Sequence, residues 1–129
     1  MMKACLKCQT EKPLTEFWLS RGKPRTYCRG CDTDRRRQIE KEQPGYFADK
    51  TRASMTRKRD WLKSLKDRPC ADCGVRYPFY VMDFDHRGDK SFNIGAGRGR
   101  SLASLQAEVG KCDVVCANCH RERTHKGRA

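Results

Sequence analysis

Four Cys-x-x-Cys pairs constrain this chain more than any other feature. They are Cys5/Cys8, Cys28/Cys31, Cys70/Cys73 and Cys116/Cys119, and a ninth cysteine, Cys112, stands alone. A Cys-x-x-Cys turn presents two thiolates to one tetrahedral ion, and zinc needs two such turns to close its shell. Taken in order, the first two pairs enclose 19 residues, ordinary spacing for a zinc ribbon, and the last two enclose 42, room for something built inside. Two structural zinc ions are expected, with thiol redox chemistry as the alternative for any single pair. The rest of the composition makes such staples necessary. Apolar residues are 36% of the 129 and charged residues 35%, so core burial is meagre, and zinc binding to an unformed site adds its free energy to folding.

The compartment follows from what is missing. Met1-Met2-Lys3-Ala4-Cys5 has no apolar stretch of the signal-peptide kind, and no run approaches the ~20 apolar residues that span a bilayer. A cytoplasmic protein without a membrane partner is expected, and there paired cysteines are metal ligands more often than disulfides. The net charge of +13 points to a polyanion, because each neutralised phosphate releases condensed counterions. The bland alternative is a merely soluble basic protein.

The expected fold class is small α+β, stapled by zinc, in three parts. Residues 1–34 form a ribbon-like module around four cysteines: a first strand at 13–18, a turn at 20–24 and a second strand at 25–27, with Phe17, Trp18 and Tyr27 as apolar contacts. Residues 35–69 form a basic helical connector. Asp32-Thr33-Asp34 reads as a helix start, Pro44-Gly45 as an interruption and 46–66 as a second helix with Phe47, Trp61, Leu62 and Leu65 as scattered apolar points. Eight basic residues against three acidic ones lie between 46 and 69, and Arg57, Lys58 and Arg59 are candidate DNA contacts. A solvated linker helix is the alternative. Residues 70–129 make the third part.

Inside the second cysteine set, residues 80–86 alternate as a strand ending in Asp85-His86. A glycine-rich stretch at 93–100 follows, then a short helix at 102–109 capped by Ser101 and ended by Gly110, a very short strand at 113–115, and a helix from about 118 to 126. Taken singly, an Asp-His at a strand end can simply cap a turn, and His120 can be a spare zinc ligand. Together they fit phosphodiester chemistry. Neighbours on a strand face opposite ways, so Asp85 and His86 can divide the holding of an ion from the activation of water; a histidine, with an ordinary pKa near 6.5, suits the latter.

Asp83-Phe84-Asp85-His86-Arg87 and the run Cys112–Arg123 resemble the HNH endonucleases, most closely the small zinc-stapled HNH proteins of phages and bacteria. The resemblance is specific over 70–125 and looser over 1–35. It implies a ββα-metal domain at 70–129, with Cys70, Cys73, Cys116 and Cys119 holding the zinc that fixes the catalytic helix. It implies His86 as general base, Asp85 and His120 as ligands of a catalytic Mg2+ or Mn2+, DNA (duplex or branched) as substrate, and 5′-phosphate and 3′-hydroxyl products. Arg87, Arg121 and Arg123 are then candidate phosphate contacts. The family's middle Asn has no counterpart: Lys111 and Cys112 occupy its neighbourhood, and Asn93 and Asn118 are the asparagines at hand. Where some relatives carry a further ligand, this chain has Thr124; His125 is about 140° around the helix from His120 and reads as a phosphate contact or surface residue. Asp83 reads as a partner behind the ligands or of Arg87, and Cys112 as a small core residue. A non-catalytic zinc protein that binds nucleic acid, as a regulator or packaging accessory, is the alternative function, and a protein-interaction adaptor a second. Oligomeric state is open: a monomer with one site would nick, and paired cuts need two sites.

Overall fold

The computed structural model describes residues 1–127, so the last two residues of the expected third part lie outside the described residues. The described residues form two compact units, Met1–Lys50 and the remainder from Thr51.

The first unit opens with β1 (Met2–Ala4) paired antiparallel to β2 (Glu11–Pro13). Between them lies the Cys5–Cys8 turn, closed by Gln9 at φ 56°. A single 3-10 turn over Leu14–Glu16 leads into β3 (Phe17–Ser20), which pairs antiparallel with β4 (Lys23–Cys28). Arg21 and Gly22 join the strands, both at positive φ (52° and 77°), as the right-handed twist of a two-residue hairpin demands. Helix α1 (Arg29–Glu42) starts directly from β4. The acidic cluster at 32–34 suggests a later start. It begins earlier because Cys28 ends the strand in the extended conformation of an N-cap, which puts Cys31 in the first turn. Gln43 ends α1, and α2 (Tyr46–Leu65) follows after Pro44-Gly45, with Gly45 at φ 83°.

The second unit repeats the frame. Cys70-x-x-Cys73 is closed by Gly74 at φ 73°, and a 3-10 turn over Phe79–Val81 leads into β5 (Met82–His86). Its antiparallel partner is β6 (Cys112–Cys116), in unbroken register from Met82 opposite Cys116 to His86 opposite Cys112. Helix α4 (Ala117–His125) starts from β6 with Cys116 as its N-cap, and packs on both strands. Turn, strand, strand and helix therefore recur in the same order around each cysteine set. The difference is the connection between the strands: two residues in the first unit, and in the second a segment containing a 3-10 stretch (Ile94–Gly99) and α3 (Leu102–Val109).

The cores are small and consist largely of sulfur. In the first, Phe17 packs with Cys5 and Cys28; in the second, Met82, Val114 and Val115 pack with Cys70 and Cys116. Each first strand thus buries its first residue against the cysteines. Helix α3 adds Leu105, wholly buried against the 3-10 stretch, where Gly97 leaves no room for a Cβ beside Phe92. Ser101 caps this helix through its side chain, accepting the Ser104 N–H at 3.1 Å. Among the described residues no helix is long and apolar enough to cross a membrane.

Candidate active site

The cysteines assemble as two groups of four, Cys5/Cys8/Cys28/Cys31 and Cys70/Cys73/Cys116/Cys119, with the four sulfurs of each within 4.8 Å of one another. Tetrahedral zinc with Zn–S bonds of about 2.3 Å needs sulfurs about 3.8 Å apart, so the donor sets fit. Backbone amides already serve these sulfurs: the Cys28 N–H donates to Cys5 Sγ at 3.3 Å and the Cys116 N–H to Cys70 Sγ at 3.2 Å. Burial alone pushes the Cys5 and Cys70 thiols up, but the amides around them, with a neighbouring thiol, outweigh it and bring both down to about 6. Cys31 and Cys119 are pushed up to about 12, chiefly by the neighbouring sulfurs of Cys28 and Cys116. A divalent cation within each group would offset that repulsion and let all four sulfurs bind as thiolates. Cys112 stays outside both groups, half-buried at the start of β6, where its thiol faces the Glu108 carbonyl.

The second group fixes the start of α4 against β5 and β6, and that placement builds the site. Asp83 and Asp85 share one face of β5 and meet α4. His120, the residue after Cys119, lies with Nδ1 3.0 Å from Asp83 Oδ2 and Nε2 3.3 Å from Asp85 Oδ1. Asp85 is buried, only 2% exposed. Its other oxygen accepts from Arg123 Nη1 at 3.0 Å. The same nitrogen donates to Asp113 Oδ2 at 2.9 Å, and Arg123 Nε donates to Asp72 Oδ2 at 2.6 Å. The guanidinium holds the Asp72 and Asp113 carboxyls below the usual carboxylate range, against the opposing effect of burial.

His86 faces the other way and meets α3. Its Nε2 lies 2.8 Å from Glu108 Oε1. Glu108 is 2% exposed, and also accepts from the Ser91 N–H at 2.8 Å and Lys111 Nζ at 3.0 Å. Burial raises its pKa, but Lys111, the Ser91 amide, His86 and the Phe92 amide prevail and hold it at about 2.

His86, Asp85, Asp83 and His120 line a single cleft of about 660 Å3, together with Lys66, Lys90 and Asn93. Asp85 Oδ1 and His120 Nε2, 3.3 Å apart, suit adjacent positions on an octahedral ion, whose bonds of about 2.1 Å at right angles put neighbouring ligands about 3 Å apart. Asp83 completes the pattern usual for a ligating histidine, whose second ring nitrogen donates to a carboxylate.

No family model, curated protein or solved structure matches this chain.

The other candidates fall into different places. Arg87 donates to the Gly110 and Cys112 carbonyls and to Asp113, and so ties the end of β5 to the start of β6. Arg123 is held by three carboxylates. Lys58 donates to the Arg98 and Arg100 carbonyls at 3.3 and 2.7 Å, closing the end of the 3-10 stretch. Arg59 bonds its neighbour Asp60. Arg57 and Arg121 are exposed, as are Thr124, His125 and Asn118. Sequence reasoning missed Glu108, which reads as one more polar position of an amphipathic helix, and Lys90. It had Lys66 only as one of many basic residues of the helix expected at 46–66, and Lys66 follows directly on the last residue of α2. The signal for Glu108 was available in part: an acid three residues before Lys111, which occupies the neighbourhood of the missing asparagine.

Proposed function

We propose that this protein is a metal-dependent endonuclease of the HNH type that hydrolyses DNA phosphodiester bonds. The observation that carries the reading is the convergence of Asp85, His86 and His120 in one cleft, with Asp83 on the second nitrogen of His120. That convergence uses both faces of β5, so the ion ligands and the base approach a phosphate from different sides.

In this reading His86 takes a proton from water as the water oxygen forms its bond to phosphorus. The P–O3′ bond breaks, its electron pair stays with the 3′-oxygen, and that oxygen takes a proton from solvent. Products with 5′-phosphate and 3′-hydroxyl ends result. Asp85 and His120 would hold a Mg2+ or Mn2+ ion, which when bound supplies charge stabilisation at a phosphoryl oxygen and the leaving group. Lys66 and Lys90 place positive charge in the cleft where a phosphate would lie. The +13 net charge and the basic residues of α2 supply attraction independent of sequence.

The test is nicking of supercoiled plasmid by zinc-loaded protein with Mg2+ or Mn2+, beside His86→Ala. The wild type should nick, and the variant should lose about 100-fold or more while keeping its zinc and its DNA affinity. If both proteins bind DNA and neither cuts plasmid, linear or branched substrates with either ion, the nuclease reading falls and a non-catalytic nucleic-acid-binding role replaces it.

A further inference from the structure

We infer that Glu108 is the positioning residue for His86, holding its ring as the Nε2–H tautomer so that Nδ1 carries the lone pair that takes the water proton. The inference rests on the nuclease reading above and assigns a part that the resemblance leaves unfilled. The residues where the family's middle asparagine would lie are Lys111 and Cys112, neither of which offers an equivalent group.

The chemistry leaves little freedom. Glu108 is ionised and therefore only accepts hydrogen bonds. A nitrogen 2.8 Å from one of its oxygens must be the donor, which places a proton on Nε2, so a ring that acts as base has to take the water proton at Nδ1. The carboxylate is itself immobilised. The Ser91 amide shares Oε1, and Lys111 Nζ binds Oε2 at 3.0 Å while also reaching Ser91 Oγ at 3.0 Å. Glu108 sits on α3 one turn beyond Leu105, and both are buried, so packing aims the carboxylate at β5. The ring is thus held from the α3 side, and Asp85, next to it in β5, is held from the α4 side.

During the reaction the water proton moves to Nδ1. The Nε2 proton stays on nitrogen, shared with Glu108, and the carboxylate stays ionised beside the imidazolium that forms. No further reactant is required. A purely structural Glu108, which merely anchors the Ser91–Phe92 backbone, predicts no tautomer preference and no effect confined to turnover.

The test compares wild type with Glu108→Gln in a Lys111→Met background, which removes both charges and keeps the side-chain shapes. Glu108→Asp is the charge-retaining control. Plasmid nicking is measured alongside DNA affinity and zinc content, and the His86 tautomer is read from long-range 1H–15N NMR correlations on zinc-loaded protein. The expected results are a wild-type Nε2–H tautomer and mixed tautomers in the Gln variant. In that variant kcat should fall about 100-fold or more, with KM and DNA affinity changed less than about twofold; replacing the Asp behind a catalytic histidine by Asn costs more still in a serine protease. Glu108→Asp should recover part of the rate. Gln-variant turnover at the wild-type rate refutes the positioning role and leaves the nuclease standing. A wild-type Nδ1–H tautomer refutes it whether or not DNA is cut. If the wild type cuts nothing, the nuclease reading falls and takes the base role with it, and the tautomer then shows separately whether Glu108 holds the ring.

Discussion

Replacing Arg123 by Met should destabilise the second unit by about 3 kcal/mol, the sum of one buried and two half-exposed ionic bonds. The guanidinium meets Asp72, Asp85 and Asp113, so it joins the Cys70–Cys73 turn, both strands and α4 at one point. The contributions differ by exposure. Asp72 and Asp113 are about one-third exposed; once freed, water takes over much of their charge, and about 0.5–1 kcal/mol each is lost. Asp85 is 2% exposed, so water cannot replace the bond it loses. Losing one charge-assisted bond to such a carboxylate costs about 1.5–2 kcal/mol. Methionine keeps the packing of the side-chain stem, so little cavity is added. For a unit of this size the Tm should fall by about 12–24 °C. The assay is urea and thermal unfolding followed by circular dichroism, with zinc held in the same small excess because bound zinc shifts apparent stability. Arg123→Lys should recover about half the loss, since an ammonium cannot fork between carboxylates. The pH dependence has a definite sign. Asp72 and Asp113 titrate below their ordinary 3.8, so their stabilisation is complete above about 5 and fades only as pH falls further. A difference under about 0.5 kcal/mol between wild type and Arg123→Met at pH 7, no more than an ordinary surface substitution gives, would refute the claim that this guanidinium holds the site together.

Two further outcomes follow from the fold and the cysteine sets. Leu105→Ala, at a fully buried position, should cost about 3 kcal/mol in chemical unfolding, and by loosening α3 it should lower nicking more than it lowers DNA affinity. Cys116→Ser should reduce zinc from two ions to one per chain in a colorimetric release assay, while Cys112→Ser keeps two, because Cys112 stands outside both four-cysteine groups.

Much of the frame is legible in the residues themselves. Cysteine spacing determines which sulfurs can share an ion, because each Cys-x-x-Cys turn presents two sulfurs together and a closed tetrahedral shell takes two such turns. Ser101 and the pattern after it determine α3, and the alternation from 82 to 86 determines that Asp85 and His86 face opposite ways. The start of α1 is misread from the charge pattern, because carboxylates favour a first turn but a strand-ending cysteine sets where that turn begins. The recurrence of one turn–strand–strand–helix frame is also hidden, because its two copies carry connections of very different length and share little beyond the cysteines.

What tertiary structure alone decides is which charges meet. Arg87, Lys58 and Arg123 look alike in sequence, as cations available to a phosphate. The fold instead engages them with carbonyls and carboxylates of neighbouring segments. Glu108 lies 22 residues from His86 along the chain, and no local rule links an acid on a short helix to a histidine at a strand end. Local sequence dictates backbone conformation because propensity and capping act over a few residues. Ionic partnerships depend on distances across the fold, and those exist only once the sulfur-centred frame has closed.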